Sequence, residues 1–161
     1  MKTDSITVAK VLPKDWELYK NIRLETLRNN PKEFSSSYSD GLQFTDEYWK
    51  SLVSDENSTY LFEKNGSEIT GTARLSFNDT EESNNTAVLC GLYIKKQYRK
   101  LGMAEKLLKI RLELCKRNKN IERVRTYIKT HNTPAISLYK KFGFSEIGIK
   151  DGEYIMEKDL N

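Results

Sequence analysis

Apolar residues recur along this chain with two different periods, and the switches between them divide it into elements. From Ser5 to Leu12 apolar and polar positions alternate, which predicts a first strand ending at Pro13. From Asp15 the period lengthens. Trp16, Tyr19, Ile22, Arg23 and Leu27 form a partly apolar helical stripe, and Asn29, Asn30 and Pro31 stop it. Residues 31–41 (PKEFSSSYSDG) are polar and serine-rich yet carry Phe34 and Tyr38. Two aromatics leave them open between a surface loop and one wall of a pocket. Thr45 suits the N-cap of a short helix through Tyr48, Trp49 and Leu52. The middle of the chain is β: Thr59 to Glu63 and Glu68 to Phe77 form a hairpin around Asn65-Gly66. A polar turn, NDTEESNN, follows. Its Asp79, Glu81 and Glu82 read as solvated, with a cationic acceptor as their alternative use.

Ala87 to Ile94 is an apolar strand, followed by a basic turn and a helix. In that helix Met103, Leu107, Ile110 and Leu114 make one stripe, with Ala104, Leu108 and Cys115 beside it. Lys106, Lys109, Glu113, Lys116 and Arg117 take the opposite side. Glu122 to Lys129 reads as a strand again, so a strand–helix–strand unit with short connections predicts a parallel pair and a right-handed crossover. The next helix has a cap at Asn132 or Thr133, Pro134 at its first helical position, and Gly143 as the left-handed residue past its end. Ala135, Leu138, Tyr139 and Phe142 share its face. Phe144 to Ile149 and Glu153 to Lys158 close the chain as a hairpin around Asp151-Gly152. The order β-α-α-β-β-β-α-β-α-β-β predicts an α/β (α+β) domain spanning residues 1–161, with a mixed sheet of six to seven strands and helices on both faces.

Composition narrows the function classes. Hydrophobic residues make up 37% and charged residues 31% of 161, a globular balance. A net charge of +4 is too mild and dispersed to point to nucleic acid. No apolar run reaches the roughly 20 residues of a membrane span, and MKTDSITV has no signal-peptide core, so a cytoplasmic protein is expected. Cys90 and Cys115 lie in apolar segments and read as free buried thiols. With one histidine, His131, read as a surface or packing residue, no zinc site of ordinary spacing is expected and the metal expectation is none.

The chemistry concentrates at the turn between Ile94 and Met103. Strand, glycine-bearing turn and helix together aim free N–H groups and the positive end of a helix dipole at an anion. Gly102 removes a side chain there, and Arg99 and Lys100 add positive charge. The physics is that of a phosphate-binding loop, without the spacing of a triphosphate loop or a dinucleotide fingerprint. The run Gln97-x-Arg99-x-x-Gly102-x-Ala104 resembles the acyl-coenzyme-A loop of the GCN5-related N-acetyltransferases. Asn132-x-x-Ala135-x-x-x-Tyr139-x-Lys141-x-Gly143-Phe144 resembles a second motif of that family. With the element order, the likeness covers essentially the whole chain.

That resemblance implies a mostly antiparallel sheet, acetyl-CoA as cosubstrate and transfer of its acetyl group to a primary amine by direct attack. It places the pantetheine arm along Leu92, Tyr93 and Ile94, and the pyrophosphate on backbone N–H groups of Arg99, Lys100, Leu101, Gly102, Met103 and Ala104. It sets Asn132 beside the pantetheine, Lys141 near the nucleotide end, and the Tyr139 hydroxyl at the thioester sulfur. A phenol of pKa about 10 is a near-matched general acid for a departing thiolate, although by periodicity alone Tyr139 is equally a core aromatic. Many family members carry a glutamate where this chain has Cys90, which itself reads as a small buried hydrophobe. The base is therefore open between relayed water and a carboxylate such as Glu25, Glu33 or Asp40. The missing glutamate also sustains a rival reading, a non-catalytic acyl-CoA-binding regulatory module. The amine acceptor, small molecule or peptide, is not legible, and a homodimer is expected by analogy only.

Overall fold

A computed structural model describes residues 6–77 and 84–161. The expected strand start at Ser5 and the acidic turn residues Asp79, Glu81 and Glu82 lie outside the described residues. Seven strands form one sheet: β1 (Ile6–Lys10), β2 (Ser58–Asn65), β3 (Glu68–Ser76), β4 (Thr86–Ile94), β5 (Arg123–Lys129), β6 (Ser145–Lys150) and β7 (Glu153–Asp159). Their spatial order is β1-β2-β3-β4-β5-β7-β6. Only β4 and β5 run parallel, and the other neighbouring pairs are antiparallel.

The helices are α1 (Trp16–Asn29), α2 (Tyr38–Gln43), α3 (Asp46–Ser54), α4 (Met103–Arg117) and α5 (Thr133–Lys141). α1 and α3 cover one face of the sheet, where Tyr19, Ile22, Trp49 and Val53 meet Tyr60, Phe62 and Tyr93. α4 and α5 cover the other, where Leu108, Leu112, Cys115 and Tyr139 meet Leu75, Leu89, Val124 and Met156. Helix α4 is the crossover between the parallel strands, as the pattern of its segment predicts.

Three departures from the sequence expectation have local causes. Residues 38–43 are helical, because the Ser37 hydroxyl accepts from the Asp40 amide and caps a turn that hydrophobic periodicity alone does not reveal. The buried line of α4 runs through Leu107, Leu108, Arg111, Leu112 and Cys115, so Met103, Ile110 and Leu114 sit on its flanks. Lys106 is not a free surface charge, since its Nζ donates to the Ile6 carbonyl of β1 at 2.7 Å. Cys90 is half-buried rather than buried as its apolar segment predicts; Cys115 is buried, and burial pushes its thiol up to about 12.

Candidate active site

The centre of the site is an irregularity in β4. Cys90 pairs with Arg74 and Tyr93 with Thr72, so Gly91 and Leu92 together oppose the single residue Ala73. This is a bulge, and Gly91 takes φ +64° within it, a left-handed conformation that favours glycine. On its other edge β4 pairs with β5 only from Thr86 to Leu89. Beyond that point β5 continues with β7, and the β5-facing edge of Cys90 to Ile94 has no strand partner. Two parallel strands thus part at the bulge, opening a gap lined by backbone donors and acceptors.

The turn after β4 ends at the start of α4. Lys100 (φ 62°) and Gly102 (φ 78°) are both left-handed, and Gly102 caps α4 with no side-chain hydrogen bond to the first-turn amides. A Cβ built on Gly102 would meet nothing within 4 Å, so the approach to those amides is open. The backbone therefore fits a bound phosphate. The Arg99 side chain is a strut: its Nε donates to the Ile94 carbonyl at 2.8 Å and its Nη2 to Asn30 at 3.2 Å. Lys100 and Leu101 are exposed, whereas Met103 and Ala104 pack inward. Lys141 is exposed and paired with Glu105 in the first turn of α4 at 2.6 Å, which brings the end of α5 beside the turn. Asn132 uses its side-chain oxygen to cap α5 through the Ala135 amide. The Tyr93 hydroxyl points towards α1, where it donates to Glu25 at 3.3 Å; at this position only the backbone faces the gap.

Tyr139 is 3% exposed. A glycine-terminated cap fixes it: the Gly143 amide donates to the Lys140 carbonyl and the Phe144 amide to the Tyr139 carbonyl, with Gly143 at φ +85°. The Phe144 ring meets the Tyr139 ring edge to face at 5.1 Å. The hydroxyl accepts from Arg111 Nη2 at 3.2 Å, which leaves its own hydrogen available for donation. Arg111 is fully buried in α4. It also donates to the carbonyls of Leu107, Arg74 and Cys90, two of which lie at the bulge where the strand ladder is broken. Arg111 was absent from the sequence-based site, but a signal for it exists: it is the one charge on the apolar stripe of α4.

The opposite face of the bulge belongs to other residues. The Cβ position of Gly91 lies 3.9 Å from Arg23 Nη1 of α1 and 3.8 Å from Arg74 Cβ of β3. Arg74 reaches the Cys90 sulfur at 3.8 Å and Ser58 at 3.1 Å. The Arg23 guanidinium stacks on the Phe34 ring at 4.9 Å, so residues 31–37 form part of this wall rather than a detached loop. The three carboxylates named as candidate bases separate clearly. Glu25 is engaged by Tyr93 and by Lys95 at 3.8 Å, and Asp40 accepts from Ser37 at 2.6 Å. Glu33 meets His131, a distant residue just beyond β5, through Oε1 at 3.2 Å, while its Oε2 is buried without a hydrogen-bond partner. No group of histidine, cysteine and carboxylate side chains suited to a metal occurs among the described residues.

A model of the acetyltransferase (GNAT) family matches residues 20–144. This chain belongs to that family. GNAT members are acetyl-CoA-dependent acyltransferases, so the chain is an N-acetyltransferase whose acyl donor is acetyl-CoA. A putative ribosomal protein bS18-alanine N-acetyltransferase from Bacillus subtilis is 27% identical over 137 residues, 84% of this chain and 85% of that one. An N-alpha-acetyltransferase from Sulfurisphaera tokodaii is 38% identical over 74 residues, 42% of this chain, and the match spans 44% of that protein's length. Among solved structures, a GNAT acetyltransferase from Streptococcus pneumoniae superposes with a TM-score of 0.80 at 22% identity, covering 97% of this chain and 99% of that one. Such likeness establishes the fold. No helix among the described residues is long and apolar enough to cross a membrane.

Proposed function

We propose that this GNAT domain, residues 1–161, acetylates a primary amine by direct attack, with Tyr139 as general acid. The observation that carries the reading is the position of the Tyr139 hydroxyl: Arg111 ties it to the Cys90 carbonyl, where β4 leaves β5. The thioester of acetyl-CoA supplies the acyl group. The freed edge of Leu92 to Ile94 takes the pantetheine amides, and the turn from Arg99 to Ala104 takes the pyrophosphate on backbone N–H groups. Lys141 and Asn132 flank the same channel. As the N–C bond forms and the C–S bond breaks, Tyr139 gives its proton to the sulfur, and a backbone N–H of the bulge faces the carbonyl oxygen. Glu33, with His131 at one oxygen and the other buried and unpartnered, is the candidate carboxylate with an oxygen to spare for the amine proton, directly or through water. The relatives named N-alpha-acetyltransferase and ribosomal protein bS18-alanine N-acetyltransferase support an α-amine as the acceptor.

The test is thiol release from acetyl-CoA with wild type and Tyr139→Phe side by side, across α-amino acids, peptide N-termini, lysine side chains and polyamines. Amine-dependent release that falls in the variant is expected. Equal release in both would remove Tyr139 from the chemistry. Coenzyme A binding without release from any amine would favour a non-catalytic binding module.

A further inference from the structure

The Arg23 guanidinium lies against the α1 face of the bulge, and what balances it is the informative question. The Nη1 atom of Arg23 is buried and has no hydrogen-bond partner. It lies beside Gly91, the residue whose missing side chain opens the strand at the gap. Arg74 of β3 meets the same glycine through its Cβ, not its guanidinium. Among the described residues no carboxylate is salt-bridged to Arg23, whose guanidinium instead stacks on Phe34. The nearby phenol of Tyr19 does not neutralise Arg23: burial raises its pKa, so it stays uncharged at neutral pH. A buried donor with no partner is unfavourable in the protein alone and becomes favourable when a ligand oxygen satisfies it.

We infer that the acceptor of this enzyme carries a carboxylate near its amine, and that Arg23 binds that carboxylate beside Gly91. The inference rests on the transferase reading above and narrows its substrate class. Guanidinium suits the task because its planar fork presents parallel N–H donors to two carboxylate oxygens. An α-amino acid matches the site in both signs: its carboxylate meets Arg23, and its amine meets the buried, unpartnered oxygen of Glu33, next in the chain to Phe34. A polyamine would bring only positive charge to Arg23. The carboxylate can come from a free amino acid or from an acidic residue at a peptide N-terminus.

The experiment compares kcat/KM for leucine, leucinamide and 3-methylbutylamine, and for peptide amides beginning with aspartate or alanine, in wild type, Arg23→Gln and Arg23→Lys. Acetyl-CoA calorimetry on each variant confirms that it is folded. If leucine is preferred over its amide and amine, and Arg23→Gln erodes that preference by roughly 10- to 100-fold, the free α-carboxylate is the ligand. Arg23→Lys should retain part of the preference, because it keeps the charge and loses the fork. The same pattern on the aspartyl over the alanyl peptide assigns the side-chain carboxylate instead. Turnover that ignores the carboxylate, or a preference that survives Arg23→Gln, overturns the inference and leaves the transferase standing. If no amine is acetylated, the transferase reading fails. Titration of leucine and of the aspartyl peptide into the protein then decides this site: heat lost in Arg23→Gln supports it, and absence of heat overturns it.

Discussion

Arg111 and Arg23 approach the same bulge from opposite faces of the sheet, and they are built to opposite ends. Arg111 is fully buried and donates to four oxygens: three backbone carbonyls and the Tyr139 hydroxyl. Arg23 is half-buried, stacked on an aromatic ring, and keeps a buried nitrogen unused. A satisfied buried charge fixes geometry, because any movement breaks several bonds at once. An unsatisfied one stores an interaction for something that arrives later. The half of the site proposed for the acyl donor is thus rigid and made largely of backbone, whereas the half proposed for the acceptor includes Arg23 and Glu33, each with a buried polar atom left unpartnered.

The largest effect expected from breaking the rigid half is at Tyr139. Tyr139→Phe removes only the hydroxyl, so turnover should fall about 100- to 10,000-fold while calorimetric acetyl-CoA binding persists. A fall of less than tenfold would reduce Tyr139 to a packing residue. Next is Arg111→Met, which strands the carbonyls of Arg74 and Cys90 and frees the Tyr139 ring. A loss of about 2–4 kcal/mol, seen as a melting temperature lower by roughly 5–15 °C, is expected. It should come with a lower kcat at nearly constant acetyl-CoA KM, and with partial rescue in Arg111→Lys. Unchanged melting would mean that the four bonds hold nothing together.

Gly102→Ala tests the backbone character of the donor site more gently. Its Cβ meets nothing, so the strain is only that of the left-handed backbone, roughly 1–2 kcal/mol. The methyl group would also stand over the first-turn amides of α4, so acetyl-CoA KM should rise more than kcat falls. The reverse pattern would place the pyrophosphate elsewhere.

The smallest effect belongs to a control for the meaning of unsatisfied groups. Glu63 is fully buried on β2, away from the bulge, with Thr70 donating to one oxygen and the other unpartnered. Burial raises its pKa above that of the unfolded chain. Below the unfolded value the carboxyl is neutral in both states. As pH rises past it, the folded state must either hold the proton or bear a buried charge, and stability falls. Glu63→Gln should therefore stabilise the protein by about 1 kcal/mol at pH 7, with the gain vanishing below about pH 4 and kinetics unaltered. A kinetic effect would mean that the two halves are coupled further than their contacts indicate.

Much of the backbone that frames the proposed donor half is legible in the sequence, for a physical reason. Strand, turn and helix boundaries are local properties: Gly102, Pro134 and Gly143 each announce a backbone conformation, and the structure places each where that conformation is required. The acceptor half announces little. Helix α2 forms through a serine cap and not through periodicity, and Glu33 meets His131 only because residues 31–37 fold back across the end of β5. Arg111 was legible in principle, as a charge on an apolar stripe, but its partners were not.

By itself, then, the sequence determined the order of strands and helices, the parallel crossover, the phosphate-ready turn and a tyrosine on the helix that follows. These depend on residues a few positions apart, whose preferences are set by periodicity, capping and glycine. The tertiary structure alone decided that β4 bulges at Gly91, that Arg111 holds the Tyr139 hydroxyl to that bulge, and that Arg23 is left with a nitrogen to spare. Those facts come from pairing between segments far apart in the chain, where each side chain's charge is satisfied or left open by neighbours that no local pattern identifies.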